Sequence, residues 1–166
     1  MKKAVIFDLD GTLIDSLGDI HAALNDVLQL RNAPPLALAT VRGFIGKGSA
    51  NLVVRALTAQ NLPNDEASCA AALADFLRLY SADSAKLTTM FDGAIDALDQ
   101  LRDGGFRLGI CTNKPLAPTQ IVLDQFGLTR FFDTVVGGDQ LASRKPDPAM
   151  LFHAMASLDV TSCLFV

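Results

Sequence analysis

Apolar residues follow two different patterns along the chain. Largely apolar runs at 3–9 and 106–112 are typical of strands that are buried on both faces of a parallel sheet. Between these runs, apolar residues recur at helical spacing, beginning with Leu17, Ile20, Leu24, Val27 and Leu28. The change of period predicts that a mostly helical segment is inserted after the first strand.

Breaker residues divide this inserted segment into helices. Ser16 and Asp19 predict a capping box at the start of the first helix, which the Asn-Ala-Pro-Pro run at 32–35 ends. Two more helices are predicted at 49–60 and 65–80, because turn residues separate them. The segment therefore resembles a small helical domain.

Helices and strands alternate in the remainder of the chain. The predicted helices begin at Asp92, near Pro118 and at Asp147-Pro148, and the predicted strands lie at 106–112, 134–136 and 163–166. Such alternation is typical of a parallel sheet that helices cover on both faces. The expected fold is an α/β, Rossmann-like core formed by residues 1–14 and 88–166, with a helical cap at 15–87.

Composition narrows the possible functions. Hydrophobic residues make up 50% of the 166, which suffices for a sizeable core, and the net charge of -4 gives no basic surface for nucleic acid. No apolar run reaches the roughly 20 residues of a membrane span, and no signal peptide is apparent, so we expect a cytoplasmic protein. Three widely spaced cysteines without a CxxC pair indicate reduced thiols.

Polar side chains follow the predicted strands at their carboxyl ends. Asp8 and Asp10 end the stretch AVIFDLD, Thr112 ends the second strand, and RKPDP at 144–148 lies on a later loop. Ligands of open parallel sheets bind beyond these strand ends, so we expect the three groups to meet. Two adjacent carboxylates are tolerable if Mg²⁺ takes oxygen ligands from them. One could then attack phosphorus while the other transfers a proton, which predicts a phosphate ester site.

The same motifs carry a family resemblance. DxDGT after an apolar strand, a threonine at the end of a later strand and a Lys-Pro pair resemble the haloacid dehalogenase superfamily of phosphotransferases. The resemblance covers the whole chain, and ICTNKP, GGDQLASRKPDP and RGFIGKGSANLVVRAL look most like its members that hydrolyse phosphoglycolate. The dehalogenases themselves lack the second aspartate of the first motif, so Asp10 favours a phosphatase.

The resemblance implies a role for each matching residue. Asp8 would be the nucleophile and a Mg²⁺ ligand, while Asp10 would be the general acid and base and would ligate Mg²⁺ through its backbone carbonyl. Thr112 and Asn113 would bind the transferring phosphoryl group, and Lys145 would stabilise the charge of the phosphate and of Asp8. These roles agree with phosphoryl transfer being mainly positioning and electrostatic stabilisation.

Four further residues are candidates for substrate binding. Gly11 and Thr12 complete the DxDGT motif. The glycine-rich stretch at 46–49 is neither a Walker loop nor a complete GxGxxG motif. Its Lys47, or Arg42 nearby, would contact the carboxylate end of an anionic substrate. The alternative is a glycine-rich helix entry with solvated charges.

The fourth motif of the superfamily, one or two acidic residues directly after a strand, is not found. Residues 164–166 resemble that strand, and the sequence ends there. Asp159 lies before the strand and cannot replace the missing ligand. The core is therefore expected to be truncated at its C-terminus, with weakened Mg²⁺ binding.

Different classes of function remain open. The resemblance implies a Mg²⁺-dependent phosphatase of a small phosphorylated acid, with 2-phosphoglycolate as the leading substrate and an aspartyl-phosphate intermediate. The alternatives are a weakly active or inactive phosphate-binding fragment, or a phosphatase or phosphomutase of sugar phosphates. Ile20 argues against the mutase, because sugar phosphomutases with this cap carry a histidine there. The expected partner is a small phosphorylated metabolite, without nucleic acid or membrane, and the oligomeric state is not predicted.

Overall fold

The computed structural model describes residues 3–82 and 85–166. The chain divides into two compact units. The first comprises Met1–Asp15 and Thr89–Val166, and the second comprises Ser16–Thr88. Each boundary lies one residue beyond the corresponding boundary expected from the sequence.

Short strands and helices make up both units. The strands of the described residues are β1 (Ala4–Phe7), β2 (Ile14–Asp15), β3 (Thr89–Met90), β4 (Arg107–Cys111), β5 (Thr134–Val136) and β6 (Leu164–Phe165). The α-helices are α1 (Leu17–Gln29), α2 (Leu38–Arg42), α3 (Gly48–Ala59), α4 (Glu66–Ala82), α5 (Ala94–Asp103), α6 (Leu116–Gln125) and α7 (Ala149–Ser157). A 3₁₀ helix occupies Thr129–Phe131.

A four-stranded parallel sheet lies at the centre of the first unit, in the order β5-β4-β1-β6. β1 pairs in parallel with β4 and β6, and β4 pairs in parallel with β5. Every residue of β1 is buried, because this strand has a neighbour on each side and is covered on both faces. These pairings and the surrounding helices confirm the predicted α/β fold.

Helix α7 packs against β4 and β5 and completes an apolar cluster on the sheet. The buried members of this cluster are Ala4, Ile6, Cys111, Val136, Met150, Ala154 and Leu158. Strand β6 lies at the edge of the sheet, and its two residues are exposed. The sheet therefore positions most firmly the loops that follow its two inner strands, β1 and β4.

A second, two-stranded sheet was not predicted. β2 and β3 pair in antiparallel register, with Ile14 opposite Met90 and Asp15 opposite Thr89. Strands of two residues are too short to show the alternation by which a strand is recognised in a sequence. They lie on the two chain segments that flank the second unit in sequence.

The second unit is helical. Helix α1 packs against α2, α3 and α4 around one apolar core, as the helical spacing of its apolar residues predicts. Helices α3 and α4 lie within two residues of their expected bounds. The short helix α2 was not predicted, since five residues do not establish a helical period.

The predicted capping box at the start of α1 is wrong. Ser16 is the N-cap residue but makes no side-chain cap hydrogen bond. The carboxylate of Asp19 instead accepts hydrogen bonds from the backbone amides of Leu87 (2.7 Å) and Thr88 (2.8 Å) and from Oγ1 of Thr88 (2.5 Å). Three donors from one segment satisfy a buried carboxylate better than a local cap would.

The helices of the first unit begin one or two residues away from their predicted starts. Gly93, rather than Asp92, is the N-cap residue of α5. Helix α6 begins at Leu116, because Asp139 accepts a hydrogen bond from the Leu116 amide at 2.8 Å. Helix α7 begins at Ala149, so Pro148 is its N-cap residue rather than its first helical residue, and the Asp147 carboxylate accepts from the Ala149 amide at 2.8 Å.

Two expectations concern the chain as a whole. Every helix of the described residues is too short or too polar to cross a membrane. Cys69, Cys111 and Cys163 are free thiols, and Cys111 is fully buried. Burial raises the pKa of the Cys111 thiol, although the charge of Lys145 opposes this effect. Cys111 is therefore a packed thiol rather than a nucleophile.

Candidate active site

The loop after β1 places two aspartates on either side of a buried leucine. The Leu9 carbonyl accepts hydrogen bonds from the amides of residues 12–14, which folds the chain back into a tight turn. Gly11 has a φ of +85°, a left-handed conformation that glycine adopts without strain. Leu9 is buried, while Asp8 and Asp10 are half-buried. The turn therefore keeps both carboxylates near the carboxyl end of β1.

Asp8 forms an ion pair with Lys145. The Lys145 Nζ lies 2.8 Å from Oδ2 of Asp8, and the Leu9 amide donates to Oδ1 at 2.8 Å. The Asp8 side chain remains 33% exposed and that of Lys145 17%. The ammonium also lies 5.1 Å from the centre of the Phe165 ring. The Asp8 carboxylate is thus held by two donors and is still accessible to a ligand.

Asp10 forms a second ion pair, which the sequence analysis missed. The Lys114 Nζ lies 3.0 Å from Oδ1 of Asp10. The Lys114 side chain is only 3% exposed, and that of Asp10 is 16% exposed. The available signal was the position of Lys114 directly after Thr112-Asn113 at the end of β4. A lysine in such a place is usually solvated, so the sequence alone gave no reason to select it.

Two loops that are distant in sequence are joined by Asn113. Its Nδ2 donates to the Lys145 carbonyl, and its Oδ1 accepts from the Lys145 amide, both at 3.0 Å. Thr112 donates its amide to the Val136 carbonyl at 3.0 Å, which extends the pairing of β4 with β5. A side chain at position 138 would overlap the Asn113 carbonyl, so only glycine fits there. These contacts fix the main chain beneath Lys145.

The predicted residues fall into two groups. The structure brings Asp8, Asp10, Thr112, Asn113 and Lys145 together at the carboxyl ends of β1 and β4 and the loop before α7. Gly11 and Thr12 lie on the same β1 loop, with Gly11 exposed.

Arg42 and Lys47 belong to the second unit. Arg42 is the last residue of α2, and Lys47 is the N-cap residue of α3. Both are exposed. The loop between them is held by Arg55, which donates to the Gly43 carbonyl and lies 4.3 Å from the centre of the Phe44 ring. Their role in substrate binding stays a prediction.

The donor set at Asp8 and Asp10 suits Mg²⁺ with few protein ligands. Mg²⁺ is commonly bound through one or two carboxylates, with water and phosphate oxygens completing its octahedron. A carboxylate has about four lone-pair sites, so a lysine contact leaves capacity for a metal bond. Within 3–82 and 85–166, no cluster of three or more histidine, cysteine or acidic side chains suits a metal ion. Such an ion would therefore depend on water and substrate for most of its ligands.

Acid–lysine pairs at the carboxyl ends of the strands of an α/β sheet suit the binding of a phosphate ester. Residues 5–163 match the family model described as haloacid dehalogenase-like hydrolase, and the chain belongs to this family. The resemblance stated from the sequence is thereby confirmed.

The chain is also similar to particular enzymes of known sequence. It is 44% identical over 162 residues to the phosphoglycolate phosphatase of Cereibacter sphaeroides, and the matched region covers 98% of this chain and 74% of that enzyme. It is 44% identical over 164 residues to the phosphoglycolate phosphatase of Rhodospirillum rubrum, and this match covers 96% of this chain and 68% of that enzyme. The crystal structure of a predicted phosphoglycolate phosphatase from Haemophilus somnus superposes on this chain with a TM-score of 0.91 and 28% sequence identity. The match covers 99% of this chain and 76% of that chain.

Proposed function

We propose that this chain catalyses Mg²⁺-dependent hydrolysis of a small phosphorylated acid, with 2-phosphoglycolate as the leading substrate. Relatives at 44% identity are named phosphoglycolate phosphatases, which supports the substrate. The observation that carries the chemistry is the pairing of Asp8 with Lys145 and of Asp10 with Lys114 at neighbouring strand ends. Each acid has its own cation, so the two can act separately on one phosphate ester.

Asp8 is the proposed nucleophile. Its accessible carboxylate attacks phosphorus, a bond forms between an Asp8 oxygen and phosphorus, and the bond from phosphorus to the leaving oxygen breaks. When bound at Asp8 and Asp10, Mg²⁺ supplies charge neutralisation for the phosphate and the attacking carboxylate. The product of this first step is an aspartyl-phosphate.

Asp10 is the proposed general acid and base. In its protonated form Asp10 gives a proton to the leaving oxygen, so that an alcohol rather than an alkoxide departs and Asp10 becomes the carboxylate that pairs with Lys114. As a carboxylate it then takes a proton from water, whose oxygen attacks the aspartyl-phosphate. The Asp8–phosphorus bond breaks, inorganic phosphate leaves, and both acids return to their starting states.

The remaining residues of the site stabilise charge. Lys145 already binds Asp8 and is placed to neutralise the phosphoryl oxygens that become bonded to it. The hydroxyl of Thr112 and the backbone amide of Asn113 would donate to those oxygens. Gly11 and Thr12 would line the phosphate on the β1 loop.

Substrate recognition is assigned to the second unit. Arg42 and Lys47 are exposed cations in a unit that is otherwise built around an apolar core. A carboxylate on the substrate is the chemical partner that such cations select. This assignment predicts a preference for phosphorylated acids over neutral phosphate esters.

One observation favours a second candidate function, a phosphate-binding module without turnover. In the described part of the chain, no third side chain of metal-ligand type lies with Asp8 and Asp10. A magnesium ion held by only two residues takes its remaining ligands from water and substrate, so the protein orients it less firmly than a third side-chain ligand would. Phosphate would then bind to the cations of the site, but the aspartyl-phosphate would not form.

The test measures phosphate release from 2-phosphoglycolate with Mg²⁺ and with a chelator, for the unchanged chain and for Asp8→Asn. We expect turnover that requires Mg²⁺ and that Asp8→Asn lowers at least about a thousandfold. Asp99→Asn, an exposed acid on α5, is the matched control and should keep full activity. Phosphate binding without release in the unchanged chain would establish the second candidate instead.

A further inference from the structure

We propose that Lys114 is a positioning residue, which holds the Asp10 side chain through its Oδ1 in the orientation that proton transfer from the protonated acid to the leaving oxygen requires. This inference rests on the proposed phosphatase function and deepens it. It assigns to the second lysine of the site a task different from that of Lys145.

Burial distinguishes the two lysines. The Lys114 side chain is 3% exposed, against 17% for Lys145. An ammonium so far from solvent needs a hydrogen-bond acceptor, and Oδ1 of Asp10 lies 3.0 Å from its Nζ. Lys145 faces the accessible carboxylate of Asp8. Lys114 therefore acts on the reaction through Asp10 rather than by contacting the substrate.

The main chain that carries Lys114 is fixed on both sides. Its amide donates to Oγ1 of Thr112 at 3.2 Å, and its carbonyl accepts from the Gly138 amide at 2.8 Å. A side chain at position 138 would overlap the Asn113 carbonyl and displace this loop. The ammonium thus extends from a rigid base, which is a requirement for orienting another side chain.

Asp10 needs such a partner because it lies on a loop. It follows Leu9 in the turn after β1 and precedes Gly11, which has a left-handed backbone. A charge-assisted hydrogen bond is strong and directional, so it restricts rotation of the carboxylate. A displacement of about 1 Å in a catalytic group can cost about a hundredfold in rate. Loss of Lys114 should therefore impair the step in which Asp10 donates its proton.

The first test compares two phosphate esters with different leaving groups. The nitrophenolate of p-nitrophenyl phosphate departs without a proton, whereas the alkoxide of 2-phosphoglycolate needs one. For Lys114→Met we expect kcat/KM to fall about a hundredfold for 2-phosphoglycolate and less than about tenfold for p-nitrophenyl phosphate. Because kcat/KM reports only the steps up to aspartyl-phosphate formation, it isolates proton donation. Equal losses for both esters would overturn the proposal.

A double-mutant cycle tests whether Lys114 acts through Asp10. Asp10→Asn should show the same leaving-group dependence, and Asp10→Asn with Lys114→Met should lose no more than about twofold beyond Asp10→Asn. Fully additive losses would contradict the proposal. Lys3→Met is the control, since Lys3 is an exposed lysine at the opposite end of β1. Should Lys114→Met fail to fold, Lys114→Gln, a smaller uncharged variant, is expected to give the same pattern.

A third measurement does not depend on turnover. Crystal structures of the unchanged chain and of Lys114→Met should show one Asp10 side-chain conformer in the former and a displaced or mixed one in the latter. An identical Asp10 orientation in both would overturn the positioning role. Absence of Mg²⁺-dependent turnover in the unchanged chain would contradict the proposed function alone, and the structural comparison would still decide the role of Lys114.

Discussion

Both units contain a buried or half-buried aspartate, but the partners of these acids differ. Asp19, in the second unit, is 5% exposed and accepts hydrogen bonds from two backbone amides and a hydroxyl. Asp10, in the first unit, is held by the ammonium of Lys114. Neutral backbone donors tie one chain segment to another, whereas a lysine from a separate loop orients a carboxylate that keeps contact with solvent. The comparison separates an acid that joins two chain segments from acids for which we propose a chemical role.

Of the variants that test this comparison, Lys145→Met is expected to have the largest effect, a loss of phosphate release. The substitution removes the cation beside Asp8 and leaves an acid that is one-third exposed, so water can solvate it. Phosphate release should fall about a hundredfold to a thousandfold, as for removal of one oxyanion donor, with little change in stability. Lys86→Met, at an exposed lysine of the second unit, is the matched control. Unchanged phosphate release would place Lys145 outside the catalytic site.

In contrast to Lys145→Met, Asp19→Asn should act mainly on the stability of the fold. The amide keeps one acceptor oxygen but replaces the other with a donor, which faces the donors of residues 87–88. We expect the free energy of unfolding to fall by about 2–3 kcal/mol, measured by urea denaturation. Asp26→Asn, an exposed acid on the same helix, should change it by less than about 0.5 kcal/mol. Equal stabilities of the two variants would remove the distinction between the acids.

A smaller effect is expected from the exposed cations of the second unit. If Lys47 binds the substrate carboxylate, Lys47→Ala should raise KM for 2-phosphoglycolate about tenfold and leave KM for p-nitrophenyl phosphate unchanged. Arg42→Ala tests the neighbouring cation in the same way. Arg78→Ala, at a 63% exposed arginine of the same unit, is the control. Unchanged discrimination in both variants would assign Arg42 and Lys47 to a solvated helix entry.

The smallest effect is expected on the pH dependence of stability, at Asp133. This acid differs from Asp10 and Asp19 because both a backbone amide and arginine side chains contact it. Burial alone would raise its pKa, but the Leu108 amide and the guanidinium groups of Arg107 and Arg102 hold the pKa below its ordinary value of 3.8. A lowered pKa in the folded state gives stability above the ordinary value, which is lost as the pH falls through the folded value. Urea unfolding between pH 2.5 and about 6 should therefore show a shallower loss on the acid side for Asp133→Asn. Identical pH profiles would contradict this.

The sequence predicted those elements of the fold whose structure is determined by their own residues. The apolar runs that became β1, β4 and β5 need no distant partner to be recognised, and the structure gives β5 its predicted bounds. The capping box failed because a local rule does not register donors at residues 87–88, far from Asp19. β2 and β3 are too short to carry a pattern.

One part of the candidate site could be predicted, because the carboxyl ends of parallel strands lie at the same edge of the sheet. That rule was sufficient to group Asp8 with Lys145, although they are far apart in sequence, and their catalytic roles stay predictions. It was insufficient for Lys114, because side-chain direction decides whether a lysine after a strand is solvated or buried. Only the structure shows this ammonium at Asp10, with the two residues 104 positions apart.

The hydrogen bonds of Asp19 also bear on the order of folding. The donors that satisfy this carboxylate lie 68 and 69 residues further along the chain. Closing a loop of that length costs entropy that nearby contacts must first offset. During synthesis, Asp19 must therefore remain hydrated until residue 88 has left the ribosome. The helices that precede residue 88 in the chain pack without the stabilisation of these hydrogen bonds until then.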